Sequence, residues 1–173
     1  IINKDIINFP KNNLYNKQFL HFKILVLGGS QAAEIFANVL PEIFIRCRKE
    51  NIPIEVYQQC LSNQEQRLSS LYKNANLDYK IFNFSNNLLE YYSNADLAIT
   101  RAGSSVLAEL INCNVPFISI PLPSSADKHQ LKNAIYYEKK KLGFLIEEKD
   151  IRKNLLTKIK TIYESNSVLE EIK

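Results

Sequence analysis

Three stretches of this 173-residue chain carry residue types suited to an anionic, hydroxyl-rich ligand. The first is Gly28-Gly29-Ser30-Gln31-Ala32-Ala33, directly after the apolar run Phe22-Lys23-Ile24-Leu25-Val26-Leu27. Two glycines let the backbone turn sharply and approach a ligand. A helix opening there aims unpaired N–H groups at an anion, and Ser30 adds a hydroxyl. The spacing is neither Gly-x-Gly-x-x-Gly nor a P-loop, so the loop alone also reads as a tight βα turn. The second stretch is Arg101-Ala102-Gly103-Ser104-Ser105, leading to Glu109. Gly103 reads as the residue permitting a tight strand-to-helix turn. A carboxylate at Glu109 can accept from two neighbouring hydroxyls, as on a ribose; a solvated glutamate or an ion pair with Arg101 is the plainer alternative. The third runs from Pro121 to Gln130 and on to Asn133. Asp127 reads as a helix cap. His129, Gln130 and Asn133 then offer the mixed donors and acceptors that sugar hydroxyls need.

Other chemistries lack their residues. Two histidines, His21 and His129, are too few for a histidine metal site. There is no Asp-x-Asp pair and no Gly-x-Ser-x-Gly elbow. Cys47, Cys60 and Cys113 form no Cys-x-x-Cys pair and read as reduced thiols. The net charge of +4 suits phosphate ligands or an anionic surface. It is too diffuse for nucleic-acid binding, and Lys139-Lys140-Lys141 reads as a solvated helix end. The first residues lack the pattern of a signal peptide, and no apolar run is long enough to span a bilayer. Residue 1 is not Met, so it is not read as a translation start.

The elements that must position these loops follow from hydrophobic periodicity. Residues 1–21 are Asn-rich and read as a linker, with one domain over 22–173. Strands are expected at 22–27, 54–58, 79–82, 97–100, 115–120 and 143–146. Helices are expected after Gln31 with an interruption at Pro41, from Ser62 with Glu65 closing a capping box, from Asn86 or Asn87 to Tyr92, over 104–112, over 128–141 and from 151. Continuous apolar strands alternating with helices imply a doubly wound α/β domain with a parallel sheet. Such sheets bind ligands beyond the carboxyl ends of their strands.

In this order and spacing, Gly-Gly-Ser-Gln at 28–31, Arg-Ala-Gly-Ser at 101–104 with Glu109, and Asp127-x-His-Gln-x-x-Asn-Ala resemble one family. Together with Asn94-Ala95-Asp96-Leu97, they are similar to the C-terminal domain of the MurG family of peptidoglycan N-acetylglucosaminyltransferases. The resemblance covers residues 22 to 150. It implies a Rossmann-like sheet of about six strands, the C-terminal half of a GT-B glycosyltransferase, holding UDP-N-acetylglucosamine with no cofactor or metal. It implies that Ser30, between Gly29 and Gln31, lies near the diphosphate. Gly103, Ser104 and Ser105 would approach the diphosphate and sugar, and Glu109 the ribose. Gln130 would meet the N-acetylglucosamine hydroxyls, with His129 beside it, and Phe84-Ser85 would lie at the uracil edge. The implied reaction is inverting transfer to undecaprenyl-diphosphate-linked N-acetylmuramoyl-pentapeptide, lipid I to lipid II, by a peripheral enzyme at the cytoplasmic face of the membrane. The acceptor side belongs to an N-terminal domain or subunit outside this sequence, and no catalytic base is assigned within it. Two positions depart from the family: Ala32 stands where Gly is usual, and Ser85 where an apolar residue is common. Another GT-B-like sugar-nucleotide enzyme, such as an epimerase, and a non-catalytic fragment are the competing readings; donor titration separates the last from the first.

Overall fold

The computed structural model describes residues 21–83 and 88–164 and, of residues 30–33, the backbone alone. Six strands, β1 (Phe22–Leu27), β2 (Ile54–Gln59), β3 (Asp78–Phe82), β4 (Leu97–Thr100), β5 (Phe117–Ser119) and β6 (Phe144–Leu145), form one sheet. Its order is β3-β2-β1-β4-β5-β6, and every neighbouring pair is parallel. The helices are α1 (Gly29–Lys49), α2 (Glu65–Asn74), α3 (Leu88–Asn94), α4 (Ser104–Asn112), α5 (His129–Lys139) and α6 (Ile151–Glu164). The strand order reverses between β1 and β4, which opens a crevice at their carboxyl ends.

Alternation along the strands builds two cores. Ile24 and Val26 face one side with Ile54, Val56, Ile99 and Ile118, under Phe36 and Leu40 of α1, Leu68 and Tyr72 of α2, and Leu155 and Ile159 of α6. Leu25 and Leu27 face the other with Ala98 and Phe117, under Tyr92 of α3, Leu107 and Leu110 of α4, and Ala134 of α5. β1 and β4 are buried on both faces apart from Lys23, which is why their sequences read as near-unbroken apolar runs.

Several expected boundaries shift for local reasons. Pro41 does not interrupt α1, which runs unbroken from Gly29 to Lys49. A proline in a helix leaves the carbonyl four residues earlier without its N–H partner. Here that carbonyl belongs to Ala37, and Arg67 of α2 donates to it from Nη2 at 3.2 Å, while reaching Asn38 Oδ1 at 2.6 Å. Arg67→Ala is therefore expected to cost about 1 kcal/mol of stability. In a Pro41→Ala background the cost should shrink, because the restored N–H takes over Ala37; a double-mutant cycle by urea unfolding checks the coupling.

The capping box expected at Ser62 and Glu65 does not form; only its returning half appears, one residue earlier. Residues Ser62–Gln64 form a 3-10 turn, and the Gln64 side chain, not that of Glu65, accepts from the Leu61 N–H at 3.0 Å. Gln64 is buried beside the turn, whereas Glu65 is exposed. β5 is shorter than 115–120 because Pro116 has no N–H, yet the Pro116 carbonyl accepts from Ala98 N–H and Ile120 N–H donates to Thr100 O. β6 is likewise two residues long, with Ile146 N–H still bonded to Ser119 O. α5 begins at His129 and ends at Lys139, with Lys141 in the left-handed region beyond it. Residues 1–20 of the linker expected over 1–21 and the cap expected at Asn86 or Asn87 lie outside the described residues.

Candidate functional site

The three candidate loops all leave the carboxyl edge of the sheet, after β1, β4 and β5. After β1 the chain turns through Gly28 into Gly29, whose φ of +57° is the left-handed conformation that glycine adopts without strain. The Gly29 N–H donates to Gln59 Oε1, at the end of β2, at 3.2 Å. A Cβ built on Gly29 would meet nothing within 4 Å, so this backbone faces open space. Ser30 and Gln31 fall in the first turn of α1.

After β4, Gly103 has φ −71° and ψ 136°, a conformation open to every residue, and a Cβ there would meet only Val106 Cγ1 at 3.7 Å. The turn does not need glycine, contrary to the sequence expectation. Ser104 and Ser105 are exposed in the first turn of α4, whose N-terminal N–H groups point past the sheet edge. Glu109 does not pair with Arg101. It accepts at Oε2 from the hydroxyl of Tyr92 at 2.8 Å.

Arg101 is instead the tie of this edge. Its guanidinium forms an ion pair with Glu148 at 2.5 Å, donates from Nη1 to the carbonyls of Ile120 (3.2 Å) and Pro121 (3.3 Å), and lies 5.1 Å over the Phe36 ring. It thereby joins the exits of β4 and β5, the face of α1 and the turn before α6.

The loop after β5 is held from within. Leu122 N–H donates to Gln130 Oε1 at 2.9 Å, Ser125 N–H to Leu122 O, and Lys128 N–H to Ser125 O. Asp127 does not cap α5. It and Lys128 take consecutive left-handed conformations, with φ of 47° and 53°, and Lys128 stands at the N-cap without a side-chain bond. His129 Nδ1 lies 2.8 Å from Ala126 O, leaving Nε2 as the outward nitrogen of an exposed ring. Asn133 is engaged as well: its Nδ2 donates to Ala102 O at 3.1 Å and fastens α5 to the exit of β4.

Beside the third loop lies an open cleft of about 680 Å³, lined by Glu34 of α1, Leu61 beyond β2, and the segment of the third loop containing Ser124, Ser125, His129 and Gln130. The structure thus brings His129 and Gln130 to the side of α1 that follows Gly29, Ser30 and Gln31. Gly103, Ser104, Ser105 and Glu109 occupy the same sheet edge but are not walls of this cleft. Ser85 and Phe84 lie outside the described residues. Gln59, Tyr92 and Arg101 complete the arrangement. No spacing rule singled out Gln59 or Tyr92, and Arg101 stood as the first residue of the Arg-Ala-Gly-Ser motif and as a possible partner of Glu109, without a role in joining the loops. Among the described residues no group of His, Cys, Asp and Glu could hold a metal ion, and no helix is long and apolar enough to cross a membrane.

A doubly wound parallel sheet of order 3-2-1-4-5-6, with polar loops gathered at its carboxyl edge, defines a Rossmann-like domain. Residues 23–173 match the model of the glycosyltransferase family 28 C-terminal domain, and the chain belongs to that family. It is 36% identical over 159 residues to the UDP-N-acetylglucosamine--N-acetylmuramyl-(pentapeptide) pyrophosphoryl-undecaprenol N-acetylglucosamine transferase of Pelagibacter ubique, covering 91% of this chain and 44% of that protein. The enzyme of the same name from Rickettsia bellii is 36% identical over 152 residues, covering 86% and 43%. The chain therefore spans less than half the length of these relatives. Its fold is similar to that of Acinetobacter baumannii MurG, with a TM-score of 0.81 at 24% identity over 96% of this chain and 48% of that one. The architecture is that of the C-terminal half of a GT-B glycosyltransferase.

Proposed function

We propose that this chain is the donor half of an N-acetylglucosaminyltransferase and binds UDP-N-acetylglucosamine at the carboxyl edge of its sheet. The observation that carries the reading is the cleft of about 680 Å³ between Glu34 of α1 and the hydroxyl, imidazole and amide groups of Ser124, His129 and Gln130. Its size suits a small-molecule ligand, and its polar wall suits a sugar. The diphosphate lies at the first turns of α1 and α4, against Gly29, Ser30 and Gln31 on one side and Gly103, Ser104 and Ser105 on the other. The open space at the Gly29 Cβ position and the absence of a conformational need for Gly103 both fit glycines kept for close approach of a ligand. Glu109 takes the ribose hydroxyls, and Ser85 the uracil side.

The acceptor is lipid-linked N-acetylmuramoyl-pentapeptide, as the names of the relatives suggest. It is held by a separate acceptor half, which also supplies the base that activates the attacking hydroxyl. Helix N-termini at the donor side stabilise charge growing on the departing UDP. The working place is the cytoplasmic face of the membrane, by peripheral attachment.

Isothermal titration of the chain with UDP-N-acetylglucosamine tests the reading; lack of binding would overturn it. Glu109→Ala is expected to weaken UDP binding by about 1.5–3 kcal/mol, roughly 10- to 150-fold in Kd. Unchanged affinity would reject the ribose role.

A further inference from the structure

We infer that Tyr92 is a positioning residue that fixes the Glu109 carboxylate for a ligand diol. The inference rests on the ribose reading of Glu109 and adds to it the group that sets its geometry. A glutamate side chain near the surface samples several rotamers, and each must be given up when it binds two hydroxyls. A carboxylate whose one oxygen is already tied loses less on binding and presents the other oxygen in a set direction.

Glu109 meets that condition. Oε2 accepts from the Tyr92 hydroxyl at 2.8 Å, and among the described residues Oε1 has no hydrogen-bond partner. The tie is rigid at its far end. Tyr92 is fully buried in the core formed with Leu107, Leu110 and Cys113, so its ring cannot follow a wandering carboxylate. The hydroxyl is also held as a donor, since burial first and the charge of Glu109 second push its pKa well above the ordinary tyrosine value. Tyr92 lies on α3 and Glu109 on α4, so the bond bridges two helices on one face of the sheet.

The test compares the full chain with Tyr92→Phe and Glu109→Ala, using UDP and 2′,3′-dideoxyuridine diphosphate, which lacks both ribose hydroxyls. Tyr92→Phe removes one oxygen and keeps the ring in the core, and circular dichroism with urea unfolding reports on folding. The expected result is that Tyr92→Phe weakens UDP about five- to tenfold and leaves the dideoxy nucleotide unchanged. That difference separates positioning from general destabilisation, which would weaken both ligands alike. Equal loss for the two ligands overturns the inference, as does wild-type UDP affinity in Tyr92→Phe while Glu109→Ala loses it. If Glu109→Ala itself binds UDP normally, the ribose reading fails and the inference falls with it. Should Tyr92→Phe unfold, the dideoxy comparison on the unmodified chain and Glu109→Asp decides. Glu109→Asp draws the carboxylate back from the fixed hydroxyl, so its UDP affinity must fall while its dideoxy affinity holds; retained UDP affinity overturns the inference.

Discussion

Arg101→Met is expected to lower the unfolding free energy by about 3 kcal/mol, the lower end of what breaking a buried ion pair costs. The Arg101 side chain is 10% exposed and Glu148 25%, so the carboxylate retains some contact with water after its partner is lost. Methionine keeps much of the aliphatic stem and the contact with Phe36, which isolates the loss of charge from the loss of volume. The larger part of the cost comes from what stays behind: Glu148 without a cation, and the carbonyls of Ile120 and Pro121 without a donor. It follows that Arg101→Met with Glu148→Leu should recover much of the loss, because removing both ions of a buried pair is often neutral. Urea unfolding of the two variants decides this. A single variant as stable as the parent, or a double variant no better than the single, would show that the pair does not tie the edge together.

The same residue shows how far the sequence could be read. The strands, the helices and their parallel winding were legible because β1 and β4 are buried on both faces and their composition has to say so. The three loops were legible because glycine, serine and amide groups cluster where strands end. What pairs with what was not. Arg101 and Glu109 lie eight residues apart in sequence, yet each takes a partner that folding brings from elsewhere: Glu148 from beyond β6, and Tyr92 from the preceding helix. Boundaries failed where a backbone group had a tertiary answer. Pro41 stays inside α1, where Arg67 meets the Ala37 carbonyl that the proline leaves without a donor, and no local rule reports an arginine 26 residues away. Asp127 looked like a cap by type, but the chain reaches α5 through two left-handed residues, and His129 and Gln130 secure the loop instead.

The cysteines make the chain alkali-labile. Burial, and secondarily the charge of Glu50, raise the Cys47 thiol from 9.0 to about 12; burial and Glu109 raise Cys113 from 9.0 to about 11. Burial also raises Cys60 above its ordinary value. The folded chain therefore keeps thiol protons that the unfolded chain releases above pH 9. The slope of stability with pH follows the protons held by the unfolded minus the folded state, so it is negative there. Stability is complete below about pH 9 and is lost as pH rises toward 11 and 12. From Cys47 alone the loss approaches roughly 4 kcal/mol at the upper end. Between pH 9 and 10 most of the effect belongs to the thiols, since tyrosine and lysine ionise ordinarily at 10.0 and 10.5. Each thiol steepens the slope there by at most about 1.4 kcal/mol per pH unit. Cys47→Ala removes one of them without overfilling the buried site, so urea midpoints measured at pH 8, 9, 9.5 and 10 should fall less steeply in the variant. An unchanged slope would mean that the Cys47 proton is not what the fold protects.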